Sequence, residues 1–178
     1  MKKKALSETN IYFDQLPDIS DVDNVKIKNF ILTNLFKDIE KNKLNKNKYG
    51  DMEIGTCQDI SWVMDYARDK INLNHKFTLI PTKVFINVHT KYETSIKRHH
   101  IDYLDVRNSP DYTLMYVVEA NNSEIVVEYN DHRKQGNSYN IKLKNKDLIM
   151  WNSDLNYYLT PNLEEEYRIL LFFNCQIL

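Results

Sequence analysis

An α+β domain, mainly β, is the fold class this sequence predicts, and three observations predict it. Apolar side chains recur at helical spacing ahead of His75. After His75 the period changes from 3.6 to 2. About seven short strand-like runs then alternate with turn signals, the pattern of a sandwich or barrel. Two helices ahead of such a block would cover one of its sheets.

The first helix is expected over Val22 to Ile39, from apolar positions Val25, Leu32, Leu35, Phe36 and Ile39. The Lys/Asn-rich stretch Lys41 to Lys48, closed by Tyr49-Gly50, reads as a solvated loop. Thr56 followed by Asp59 is a capping-box pattern, and Ile60, Val63, Met64, Ala67 and Ile71 form one apolar stripe behind it. From Thr82 to Thr90 the chain alternates, with Val84, Ile86 and Val88 on one face and Phe85, Asn87 and His89 on the other. Strand-like runs follow at 113–118, 124–129, 139–143, 148–151, 157–160 and 167–173. Asn121-Asn122-Ser123, Gln135-Gly136-Asn137, Lys144-Asn145-Lys146 and Pro161-Asn162 mark the turns. Asn130 to Arg133 reads as a polar hairpin-like loop.

With 178 residues the chain suits one domain, a helical support region over 1–75 and a β core over 76–178. A net charge of −1 gives no footprint for nucleic acid or an anionic membrane. Met1-Lys2-Lys3-Lys4 is followed by no apolar stretch, and the run Ile169 to Phe173 is far too short to cross a bilayer. Cys57 and Cys175 have no metal-type spacing and read as reduced thiols of a cytoplasmic protein.

Two features carry chemistry. In His100-Ile101-Asp102, extended backbone would send an imidazole and a carboxylate to the same side, which suits two adjacent ligands of octahedral Fe(II). On its own such a triplet arises often by accident. Arg168 stands in the apolar strand Tyr167 to Phe173, where a guanidinium must reach water or be paired. It either bridges outward to Glu164–Glu166 or binds a carboxylate as a two-pronged fork inside a barrel.

The order of these segments is informative. An H-x-D at His100–Asp102 is followed by Leu114 to Val118, then Asp147 to Trp151, Leu159-Thr160-Pro161-Asn162 and Glu166-Tyr167-Arg168-Ile169. This succession, over roughly Lys83 to Asn174, resembles the iron(II)/2-oxoglutarate-dependent oxygenases, especially the prolyl-hydroxylase-like and small phage or bacterial branches. The resemblance implies a double-stranded β-helix (jelly roll) with two supporting helices. It also implies Fe(II) held by His100 and Asp102, and 2-oxoglutarate anchored on Arg168. Asn87, His89 and Tyr116 would line the co-substrate site. The substrate would be a small molecule or an amino-acid or peptide side chain, and the reaction hydroxylation.

One departure stands out. The family places a third ligand, a histidine, about ten or eleven residues before the arginine, where this chain has Tyr157 and Tyr158. A phenol binds metal well only after losing a proton whose ordinary pKa is about 10. Tyr157 ligates, or His89, His99 or His132 is brought in spatially, or the fold binds something without turning it over. A ligand-binding or structural module is therefore the rival to an oxygenase. A cupin-like metal or sugar binder is a third reading, and it calls for more clustered histidines than this chain carries.

Overall fold

A computed structural model of the chain describes residues 10–18, 22–42, 50–75, 77–132 and 135–178. The loop expected at 41–48 lies almost wholly outside them, as does the Met1–Lys4 segment. The elements run β1 (Ile11–Gln15), α1 (Asn24–Asn42), β2 (Gly50–Glu53), α2 (Gln58–His75), β3 (Leu79–His89) and β4 (Tyr112–Glu119). They continue as β5 (Glu124–His132), β6 (Gln135–Lys142), β7 (Asp147–Asn152), β8 (Asn156–Leu159) and β9 (Arg168–Ile177).

Asp23 starts the first helix. Its carboxylate accepts the Val25 amide at 2.8 Å and the Lys26 amide at 3.3 Å, satisfying two of the otherwise orphaned N–H groups. The expected capping box at Thr56 does not form. The first turn of α2 closes on Cys57, whose carbonyl accepts the Ser61 amide at 3.0 Å. Asp59 reaches across to accept the Asp23 amide at 2.9 Å, so the acid expected to cap α2 braces the start of α1.

The α2 stripe packs as expected, with Ile60, Val63, Met64, Ala67 and Ile71 all buried. The α1 stripe is rotated from its expected position. Ile27, Ile31 and Leu35 face the sheet, whereas Val25 is 65% and Phe36 53% exposed. Asn24 sets that rotation by donating to the Val118 carbonyl at 2.8 Å while its side-chain oxygen accepts the Tyr116 hydroxyl at 2.5 Å.

Antiparallel strands build two sheets, the larger ordered β1-β7-β4-β9-β3-β2 and the smaller β6-β5-β8. β1 and β2 were not expected. They are short strands on the two borders of the large sheet, and β2 carries a polar sequence with no alternation to read. A single bridge between Arg98 and Tyr157 extends the small sheet beyond β8. β5 runs on to His132 and β6 begins at Gln135, so Asn130 to His132 of the expected polar loop and the Gln135-Gly136-Asn137 turn are strand, and Arg133 lies outside the described residues.

Strand parity divides the core in two. Val84, Ile86, Val88, Leu114, Tyr116, Val118, Ile169, Leu171 and Phe173 pack against the helices. Met115, Val117, Leu170 and Phe172 face inward, against Ile125, Val127, Tyr157 and Leu159 of the small sheet. Burying each such large side chain stabilises by about 1.5–3 kcal/mol, so register is strongly fixed, since a one-residue slip would exchange the two faces. This is a double-stranded β-helix with two helices on its large sheet.

Candidate functional site

The register of β3 against β9 builds the site. His89 pairs with Arg168, Asn87 with Leu170 and Phe85 with Phe172. Because parity alternates, this rung series points between the sheets, on the side opposite the helices.

Arg168 is 1% exposed, and its Nη1 donates to the Thr160 carbonyl at 2.5 Å. Its Nε and Nη2 have no hydrogen-bond partner among the described residues. Burial lowers its pKa to about 10, with Glu93 acting in the opposite direction, so it remains a cation at neutral pH. Across the ladder, burial first and Arg168 second push His89 down to about 3, leaving a neutral imidazole whose Nδ1 is unpartnered. Asn87 is fully buried, and neither of its side-chain polar atoms has a hydrogen-bond partner among the described residues. An unpaired buried charge costs several kcal/mol. Nε and Nη2 lie on one edge of the guanidinium, the arrangement that can donate to both oxygens of a carboxylate, and Asn87 stands two residues along β3 from the Arg168 partner His89.

The second cluster lies four residues further along β9. The His100 ring packs near Phe85 and Phe172, with centroids 6.2 and 6.3 Å away, and parallel to the Tyr157 ring at 5.6 Å. His100 Nε2 and Tyr157 Oη are 2.8 Å apart. Burial, then Arg98 and His99, lower the His100 pKa to about 4, and burial raises that of the Tyr157 phenol. The imidazole is therefore neutral and the phenol protonated, and the two share one neutral hydrogen bond whose donor is set by the imidazole tautomer. Trp151 packs edge-on against Tyr157 at 5.1 Å.

Several expectations need correction. His100 and Asp102 are not on a strand; they occupy the irregular segment between β3 and β4, so same-side geometry does not apply. Asp102 is exposed, and its Oδ1 accepts the Leu104 amide at 2.9 Å in a local turn. Tyr116 lies on the helix side, pairs with Leu171 and bonds to Asn24, so it does not line the site. Tyr158 alternates away from buried Tyr157. His99 packs against Tyr103 at 5.0 Å, and exposed His75 against Tyr12 at 4.6 Å. The side chain of His132 lies outside the described residues.

Sequence reading missed the clamp that holds the Arg168 end. Asn162, 1% exposed, donates to the carbonyls of Glu166 at 2.8 Å and His89 at 3.3 Å. Its own carbonyl accepts the Tyr92 amide at 2.6 Å. Tyr92 adopts φ 66, a left-handed conformation that costs a non-glycine residue about 1 kcal/mol or more. The Pro161-Asn162 turn signal was the trace of this clamp in the sequence.

The donors present do not fit an Fe(II) centre of the expected kind. The His100 nitrogen Nε2 is engaged by the Tyr157 phenol. A metal on Nε2 would stand at about 2.1 Å, within about 1 Å of that phenol oxygen. Among the described residues no group of three His, Cys, Asp or Glu side chains could hold a metal ion.

No protein-family model and no curated protein sequence matches the chain. Solved structures do. A prolyl hydroxylase from Trichoplax adhaerens, in complex with a hypoxia inducible factor oxygen degradation domain peptide fragment, is similar at TM-score 0.61 and 13% identity, covering 92% of this chain and 83% of the other. A non-heme alpha ketoglutarate dependent carbocyclase of nogalamycin biosynthesis gives 0.60 and 8%, over 92% and 78%. A Pseudomonas putida prolyl-4-hydroxylase gives 0.56 and 13%, over 92% of each chain. At such identities the likeness is one of fold, and that fold is the double-stranded β-helix of the 2-oxoglutarate/iron(II) oxygenases.

Proposed function

We propose that this protein binds 2-oxoglutarate, or a closely similar dicarboxylic acid, between its two sheets through Arg168. The observation that carries this reading is the vacancy of Nε and Nη2 on a fully buried arginine. The bond to Thr160 uses only Nη1, and a carboxylate would take the other two donors and offset the desolvation of the guanidinium. Asn87 offers a donor and an acceptor two residues along β3 from His89, which suits further polar contacts to the same ligand. Calorimetric titration with 2-oxoglutarate tests the reading. Arg168→Ala should weaken binding at least tenfold, about 1.4 kcal/mol; unchanged affinity would remove Arg168 from the site.

A second reading is an Fe(II)- and 2-oxoglutarate-dependent oxygenase hydroxylating a small molecule or an amino-acid side chain. The chain order of His100, Asp102 and Arg168 favours it, together with the shared fold. It requires His100 to give up its bond to Tyr157, so we rank it second.

A further inference from the structure

We infer that Tyr157 closes the metal position of this β-helix, its phenol standing hydrogen-bonded on His100 where a cation would otherwise sit, so that the carboxylate site works without a metal ion. This rests on the carboxylate reading above for the ligand, but on separate atoms for the closure.

Three observations carry it. The 2.8 Å bond uses the ring nitrogen of His100 that points at Tyr157, and a ring nitrogen engaged in a hydrogen bond, as donor or as acceptor, has no lone pair free for a metal. The phenol is not a mobile group swung in from outside. Tyr157 is fully buried on the inner face of β8, and its backbone is tied to Arg98 by bonds of 3.0 and 2.8 Å. Its ring is held between Trp151 and Phe172, 5.1 and 5.7 Å away. Displacing it would need repacking of the inner core. Finally, Asp102 has one carboxylate oxygen committed to the Leu104 amide and lies exposed, so it does not compete for His100.

The closure predicts a gain of function. Tyr157→His removes the oxygen and supplies a second imidazole from the same inward position of β8. The wild-type chain and Tyr157→His are titrated anaerobically with Fe(II), and with Co(II) as a spectroscopic probe. Wild type should take up neither at micromolar concentration, and Tyr157→His should bind at least tenfold more tightly, with cobalt d–d bands. Should Tyr157→His fail to fold, Tyr157→Phe frees the His100 nitrogen with the ring retained, and it too should bind Co(II) more tightly than wild type. A third measurement needs no variant: the His100 ring signals of the wild-type protein should be unmoved by one equivalent of Zn(II).

Stoichiometric Fe(II) uptake by wild type as tight as that of Tyr157→His would overturn the closure. So would a coloured Fe(III)–phenolate band from the wild-type protein. Titration with 2-oxoglutarate in the presence of a chelator separates the two claims. Absence of binding both with and without the chelator refutes the Arg168 reading, whereas binding that the chelator abolishes, or metal uptake by wild type, refutes the closure.

Discussion

The two faces of the large sheet share strands and differ in what their polar groups do. On the helix side, Tyr116 donates to Asn24, Asn24 donates to the Val118 carbonyl, and Lys28 pairs with Glu119 at 2.6 Å. Polar atoms there lock a helix onto the sheet. On the inner side, one residue away in each strand, Asn87, His89 and Arg168 keep buried atoms with no partner among the described residues. Close packing together with these satisfied bonds accounts for the first face. The second is under-satisfied, and groups that give up stability in the free protein mark where a ligand supplies the missing bonds. A cavity of about 280 Å³ lies on the helix side, between α2 and β1, lined by Tyr12, Lys70, His75 and Met150 among others. Its lining includes none of the residues with unpartnered inner atoms.

Substitutions that split the two faces break or sharpen this contrast. The largest stability loss is expected on the helix side: Ile31→Ala should cost about 2–5 kcal/mol in denaturant unfolding while 2-oxoglutarate affinity stays within about twofold. Phe36→Ala, expected by sequence to be equivalent, should cost about 0.5 kcal/mol or less. Arg168→Met should do the reverse of Ile31→Ala. It removes a buried, only partly bonded charge at the cost of one bond to Thr160, so the ligand-free protein should melt close to wild type although ligand binding is lost; a fall in melting temperature of more than about 5 °C would mean that Arg168 is structural.

Acid sensitivity comes next in size. His89 has a folded pKa of about 3 against an ordinary 6.5, so the unfolded chain protonates first. Its contribution is intact above pH 6.5 and fades as pH falls towards 3, by roughly 2 kcal/mol between pH 6.5 and 5. His89→Gln should flatten that part of the pH–stability curve, and an unaltered slope would refute burial of a neutral imidazole. The smallest effect is Tyr116→Phe, about 1 kcal/mol for one hydroxyl bond, with ligand affinity unchanged; a binding defect there would place Tyr116 back in the site.

Much of this was legible in the sequence, for reasons that differ by residue. Val84 to His89 declared its two faces because apolar and polar residues alternate there, and Arg168 was conspicuous because a charge in an apolar strand needs a reason. Tyr116 was illegible. Leu114 to Val118 is buried on both faces, so no alternation marks which side a residue takes, and only its pairing with Leu171 decides. The rotation of α1 was hidden because it depends on a side-chain bond from Asn24 to another element. The H-x-D motif misled on geometry, since its spacing carries meaning only on an extended backbone, and the chain there bends. The tyrosine in place of a third ligand was readable as a departure, whereas its bond to His100 required three-dimensional pairing of segments 57 residues apart.

The most direct test of the central claim is a crystal structure of the protein soaked with 2-oxoglutarate in the presence of a metal chelator. The account predicts a carboxylate between the sheets, accepting from Nε and Nη2 of Arg168 at about 2.7–2.9 Å, with the Tyr157–His100 bond intact. Density for the acid on the helix side, or a guanidinium left with its donors vacant beside an ordered ligand elsewhere, would contradict it.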